Sequence, residues 1–300
     1  MARPIRIYES GVTYFVTMRC LHGRLFLRPS DRTNEVLGGV LARAVRLTGV
    51  ELFAFAFASN HVHLLVRAPE RNLSRFMQHL LTNISKKVGT LVGWRGAFWE
   101  RRYSAEPVLD DEALLGRIRY ILSHGVKEGL VASCREWPGL TSLTMMLDGM
   151  PRPYRWFHWS DRWKQRKAGK PCSRFDEKCA RTEELVLRTV PHPAFGDART
   201  RRQLLERLVQ GIEEQWARLH KRFRGRAWVL GQRPQHRPER PARTPRPLCH
   251  TTSRKLLDEF RQQVHDFVAA FIGASQRWRA GDFSVTFPVG ANRPMVALAI

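Results

Sequence analysis

The chain has 300 residues, 43% of them hydrophobic, which is enough for a sizeable core and for one compact domain with a substantial extension. A formal net charge of +24 and a pI near 11.1 go well beyond what solubility needs and point to a polyanionic partner, nucleic acid first. No apolar run approaches the ~18 residues of a membrane span, and the five cysteines stand at irregular spacings, which excludes a disulfide scaffold or zinc ribbon.

The opening residues lack the apolar stretch of a signal peptide, so a cytoplasmic protein is expected. The excess charge is uneven. Residues 1–150 hold 20 basic and 13 acidic side chains, residues 151–300 hold 31 and 14.

Thr13 to Arg19 (TYFVTMR) is rich in β-branched and aromatic residues and predicts a strand. Ser30 can cap a helix over Asp31 to Thr48, where Val36, Leu37, Val40, Leu41, Ala44 and Val45 recur at helical spacing and Gly49 supplies the stop. Glu51 to Phe57 and His61 to Arg67 predict two core strands joined by Ala58-Ser59-Asn60. Asn72 can cap a second helix whose apolar stripe runs from Leu73 to Val88 before Gly89. Ser104 to Leu109 suits an edge strand, where Pro107 is tolerated, and Asp110 caps a third helix to about His124. This order predicts an α+β fold, a ferredoxin-like antiparallel sheet with helices on one face.

Beyond the first unit, residues 1–147, a basic Trp- and Arg-rich helical extension is expected over 148–231. A Pro/Arg-rich linker over 232–248 and a C-terminal helical segment over 249–300 follow it. Two ordinary thiols are expected at Cys172 and Cys179.

Side chains alternate along a strand, so His61 and His63 share a face and offer two neutral nitrogens to one metal ion. The pair alone does not separate ligands from packing residues. In the third helix, Leu114, Leu115, Ile118, Ile121 and Leu122 define the buried stripe, while Arg117, Tyr120 and His124 make a polar face at spacings of three, four and seven. On the residues alone, a surface tyrosine beside a helix-ending histidine remains an equal reading.

Asn60-His61-Val62-His63-Leu64-Leu65 resembles the NHVHLL signature of the single-tyrosine HUH transposases, including the insertion-sequence-200-type and REP-associated tyrosine transposases. Tyr120-Ile121-Leu122-Ser123-His124-Gly125 through Gly129-Leu130-Val131 is similar to the family's tyrosine motif and its Gly-Leu-Val ending. Trp99 to Tyr103 and Trp137-Pro138 also look familial, and the resemblance spans roughly residues 8–145.

The resemblance implies a divalent metal, Mg²⁺ or Mn²⁺, on His61 and His63, and attack by Tyr120 on a DNA phosphate to give a 5′-phosphotyrosine. It implies single-stranded or hairpin DNA as partner, no membrane, and either a monomer or a homodimer. Arg117, Arg101, Arg102, Lys86 and Lys87 are candidate phosphate contacts, and Tyr103 is the rival nucleophile. Two departures stand out: His124 occupies the family's usual Asn position and Gly125 replaces a proline. His124 as a third ligand would favour manganese or zinc over magnesium; the alternative is a catalytically degenerate DNA- or RNA-binding protein that retains the fold.

Overall fold

The computed structural model describes residues 7, 9–170, 172–239 and 247–291. Its sheet is built from β1 (Thr13–Arg19), β2 (Glu51–Phe57), β3 (His61–Arg67) and β4 (Ser104–Val108), all antiparallel, in the order β2-β3-β1-β4. With α1 (Asp31–Thr48) and α2 (Leu73–Leu91) in the crossovers, this is the expected ferredoxin-like α+β arrangement. The Ser30 side chain accepts from Thr33 N at 3.1 Å to start α1, and Gly49, at φ 65°, ends it in the left-handed region. Asn72 does not cap α2. Its amide donates instead to Thr48 O at 2.6 Å, tying the start of one helix to the end of the other. α2 also passes Gly89 and ends at Leu91.

Two cores form, one on each face of the sheet. Val62, Leu64 and Val66 of β3 join Tyr14, Val16 and Met18 of β1 under α1 and α2. Phe15 and Leu65 point the other way, to a second core made with α3 (Asp111–Lys127). A β-bulge between Leu52 and Ala54 lets Phe53 and Ala54 both serve this second core. The expectation of helices on one face therefore holds for α1 and α2, and α3 adds a layer on the opposite face. Asp110 starts α3 by accepting from Ala113 N at 2.7 Å, and the helix runs one turn beyond His124 to Lys127.

The remaining elements are α4 (Leu143–Asp148), β5 (Arg152–Phe157), α5 (Trp159–Lys167), β6 (Ala180–Leu185), α6 (Ala198–Leu219), α7 (Arg226–Gly231) and α8 (Arg254–Arg279). The span read as a helical extension also contains a two-stranded antiparallel sheet, β5 with β6, laid against α1. The Gly38-Gly39 pair of α1 makes this approach possible. A Cβ on Gly39 would lie 2.1 Å from Arg155 O, and one on Gly38 would lie 2.3 Å from the Tyr154 ring. Buried Glu183 of β6 accepts from Arg43 at 2.7 Å and from Arg46 at 2.7 and 3.0 Å.

On the other face, α6 packs on α3, where Arg119 donates to Gly211 O at 3.2 Å and Gln215 Oε1 at 2.8 Å. Residues 240–246 of the expected linker and 292–300 of the last segment lie outside the described residues. Among the described residues, no helix is long and apolar enough to cross a membrane.

Candidate metal and nucleophile site

β3 alternates as its sequence demands. Val62 and Leu64 enter the first core, so His61 and His63 face α3, and both are buried there. α3 crosses this face and brings His124, also buried, one turn beyond Tyr120. The His124 ring centroid lies 4.5 Å from His61 and 5.5 Å from His63, and the two strand histidines are 4.6 Å apart. One nitrogen from each of the three imidazoles lies within 4.8 Å of the other two.

The hydrogen bonds around these rings select their donors. His61 Nδ1 is 2.6 Å from Asn60 Oδ1, a pure acceptor, so Nδ1 carries the proton and Nε2 keeps its lone pair. His63 Nδ1 is 3.0 Å from Thr17 Oγ1, the residue directly across the β1–β3 ladder. His63 Nε2 and His124 Nδ1 are buried with no hydrogen-bond partner among the described residues, an expensive state for polar atoms unless something else binds them.

Burial holds the pKa values of His61 and His63 well below the ordinary imidazole range, with repulsion from His124 as the next cause. His124 is pushed down to about 4 by burial and by Lys127 and Arg19. Three neutral, converging imidazoles, two of them with a buried unpartnered nitrogen, fit a divalent transition-metal ion by the chemistry of the donor set.

Tyr120 is half-buried beside this cluster, its ring 5.2 Å from His63 and edge-on to Phe15 at 5.7 Å. Phe15 stacks on His63 at 5.2 Å. Two cations flank the phenol ring, Arg117 at 5.2 Å and Lys127 Nζ at 4.4 Å. Tyr103 is buried in the first core on the far side of the sheet, as is Tyr14, and Tyr154 packs against Gly38 of α1. Tyr8 lies outside the described residues.

Arg101, Arg102 and Lys86 are exposed, the two arginines lining a separate cavity between β4 and α8. Lys87 corrects the sequence reading. It is 3% exposed, donates to Phe157 O at 2.5 Å, and lies 4.3 Å from the Trp156 ring and 4.5 Å from that of Trp159, so it cannot meet a phosphate.

Gly125, a departure from the family pattern, has a packing cause. A Cβ there would lie 2.8 Å from Trp137 and 2.9 Å from Val131. Sequence reading missed Thr17, Phe15 and Lys127, although the strand register and the helix period carry a signal for each. It also missed His250, edge-on to Phe15 at 5.4 Å, for which no local signal exists.

Residues 19–124 match the family model described as "Transposase IS200 like". The resemblance read from the two motifs is thus shown for the segment that carries His61, His63, Tyr120 and His124. A REP-associated tyrosine transposase solved with a REP hairpin aligns at 18% identity and a TM-score of 0.43, covering 49% of this chain and 86% of that one. A Deinococcus radiodurans R1 protein described as a candidate transposase aligns at 20% identity and a TM-score of 0.30, covering 41% of this chain and 97% of that one. No curated protein matches the chain.

Proposed function

We propose that this protein is a metal-dependent tyrosine transesterase of the transposase type, acting on single-stranded or hairpin DNA, with Tyr120 as nucleophile and His61, His63 and His124 as metal ligands. The observation that carries the reading is the convergence of three buried imidazoles within 4.8 Å of one another, with the Tyr120 ring 5.2 Å from His63. A divalent ion, when bound, supplies Lewis-acid polarisation of a phosphodiester oxygen. Three nitrogen donors suit Mn²⁺ better than Mg²⁺, which prefers oxygen.

Asn60 and Thr17 fix the ring orientations of His61 and His63 through their Nδ1 atoms. Tyr120 Oη forms a bond to phosphorus while the P–O3′ bond breaks. The phenol loses its proton, and the leaving 3′ oxygen takes one up as a hydroxyl. The 5′-phosphotyrosine retains the phosphoester, so a 3′-hydroxyl of another strand can reverse the step without ATP. Arg117 and Lys127 stand where phosphate charge would lie; Arg101, Arg102 and Lys86 are outer contacts. His124, the departure that raised the degenerate alternative, sits with the other two histidines and favours the active reading.

The test is labelled single-stranded DNA from the gene's flanks, incubated with Mn²⁺ or Mg²⁺ and resolved under denaturing conditions. A covalent adduct that disappears in Tyr120→Phe and in His61→Ala is expected. Tight binding with no adduct under either metal would overturn the reading in favour of a DNA-binding protein without chemistry.

A further inference from the structure

A second cavity, of about 560 Å³, opens between α3 and residues 247–252. Its wall contains Arg117, the same guanidinium that lies 5.2 Å from the Tyr120 ring, so cavity and nucleophile share a side chain. The volume is that of a small-molecule site, which typically holds roughly 300–1,000 Å³.

The lining selects among ligands. Arg117 donates no hydrogen bond among the described residues, and its Nε is buried without a partner. Glu112, exposed in the first turn of α3, also lines the cavity, and Leu115, Leu208 and Pro247 supply apolar surface. Arg119 also lines the cavity but is already committed to Gly211 O and Gln215 Oε1, so a phosphate would have Arg117 alone, would face Glu112 and would gain nothing from the apolar walls. A purine uses all three features: ring faces for the apolar walls, acceptors for the arginine, and donors for the carboxylate. Guanine offers O6 and N7 to a guanidinium fork, and N1–H and the 2-amino group to a carboxylate. Adenine lacks that pairing of two acceptors with two donors.

Gly116 adds an independent observation. It sits within α3, where glycine costs about 1 kcal/mol relative to alanine, yet a Cβ there would meet nothing within 4 Å, so no packing contact demands it. It lines the cavity, and the missing side chain is part of the open space.

The far wall is delivered by the C-terminal segment. His250 N donates to Pro107 O at 2.8 Å and Leu109 N to His250 O at 2.9 Å, stitching the segment to the end of β4. Thr251 and Thr252 hold Asp110, the cap of α3, at 2.5 and 2.7 Å.

We infer that this cavity binds a guanine base of the substrate strand next to the scissile phosphate, so that the C-terminal extension completes a base-reading site. The inference rests on the proposed DNA chemistry and names its specificity. A binding measurement tests it without catalysis. Fluorescence anisotropy is recorded for single-stranded oligonucleotides from the gene's flanks, with each nucleotide in turn made abasic and each guanine in turn replaced by inosine, which lacks the 2-amino group.

One guanine position is expected to lose roughly 5- to 150-fold in affinity when made abasic. Glu112→Gln should erase the discrimination between guanine and inosine there. Gly116→Phe, which fills open space on a helix and should fold, is expected to bind the unmodified strand as weakly as wild type binds the abasic one; its melting temperature checks the fold. Equal tolerance at every position, preference for another base, or unchanged discrimination in Gly116→Phe would each overturn the inference. The adduct assay fails separately: adducts with no base-specific position sink only the guanine site, whereas a base-specific position with no adduct sinks only the chemistry. Failure to bind any single strand overturns both.

Discussion

Thr17→Val tests the metal site through a residue that would not itself touch the ion. Valine has nearly the same shape and favours strands, so β1 should keep its pairing with β3 and β4. What is lost is the hydroxyl 3.0 Å from His63 Nδ1, which holds that ring in its orientation. Losing such a partner typically weakens metal affinity 10- to 100-fold, or about 1.4–2.7 kcal/mol. In the metal-free protein, leaving Nδ1 without a partner costs about 1 kcal/mol, so each variant is compared with its own metal-free baseline.

At a Mn²⁺ concentration 100 times the wild-type Kd, binding adds about 2.7 kcal/mol of stability. A tenfold weaker site at the same concentration adds about 1.4 kcal/mol. At about 2–4 °C per kcal/mol, wild type should gain roughly 5–10 °C in Tm, and Thr17→Val roughly 3–5 °C. Titration calorimetry measures the affinities directly, and thermal melts with and without Mn²⁺ provide the second readout. Wild-type affinity in Thr17→Val would refute the argument that the threonine orients His63. The absence of any Mn²⁺-dependent gain in wild type would refute the metal site itself.

Three other perturbations follow from the packing. Gly39→Ala places a Cβ 2.1 Å from Arg155 O, so despite better helix propensity it should destabilise by about 1–3 kcal/mol in chemical denaturation; a neutral result would mean the β5–β6 sheet does not sit against α1. Lys87→Met should leave the salt dependence of DNA binding unchanged, whereas loss of a true phosphate contact on a single strand lowers the slope by about 0.7. Burial, and Arg43 as the lesser cause, lower the Lys87 pKa to about 8. Between pH 8 and the unfolded value near 10.4 the unfolded chain therefore binds more protons, and this residue makes stability rise with pH. That rise should vanish in Lys87→Met, and its persistence would place its origin elsewhere. Glu183→Ala leaves Arg43 and Arg46 without their carboxylate and should cost about 1–3 kcal/mol in urea denaturation; an unchanged midpoint would show that the bridge contributes nothing.

The first half of the fold was legible because its signals agree. Strand alternation, the α1 stripe, the Ser30 and Asp110 caps and the Gly49 stop all point to the bounds observed. A helix's apolar stripe shows that it is buried but not on which side of a sheet, so the position of α3 was not read. The better clue was in β2 and β3, whose near-continuous burial, ELFAFAF and HVHLLVR, marks strands covered on both faces. Lys87 was misread by its charge. It follows Leu73 and Leu80 at intervals of seven, which puts it on the buried stripe of α2. The strands β5 and β6 escaped notice because arginine and proline interrupt β5, and β6 (ARTEEL) is mostly polar, so their pairing and their seat on α1 leave no clear alternation in the sequence. His250 reaches the site only through pairing with β4, a contact across more than 140 residues that no local pattern encodes.

The double covering of the sheet also constrains how a nucleic acid can arrive. Proteins that read single strands on an open sheet lay successive bases flat on exposed aromatic rings. Here the strands lie beneath α1 and α2 on one side and α3 on the other, and Phe15 is buried among histidines. On the proposed reading, a DNA strand cannot lie flat across the sheet; with α6 packed on the outer side of α3, it must reach half-buried Tyr120 at the flank of that helix.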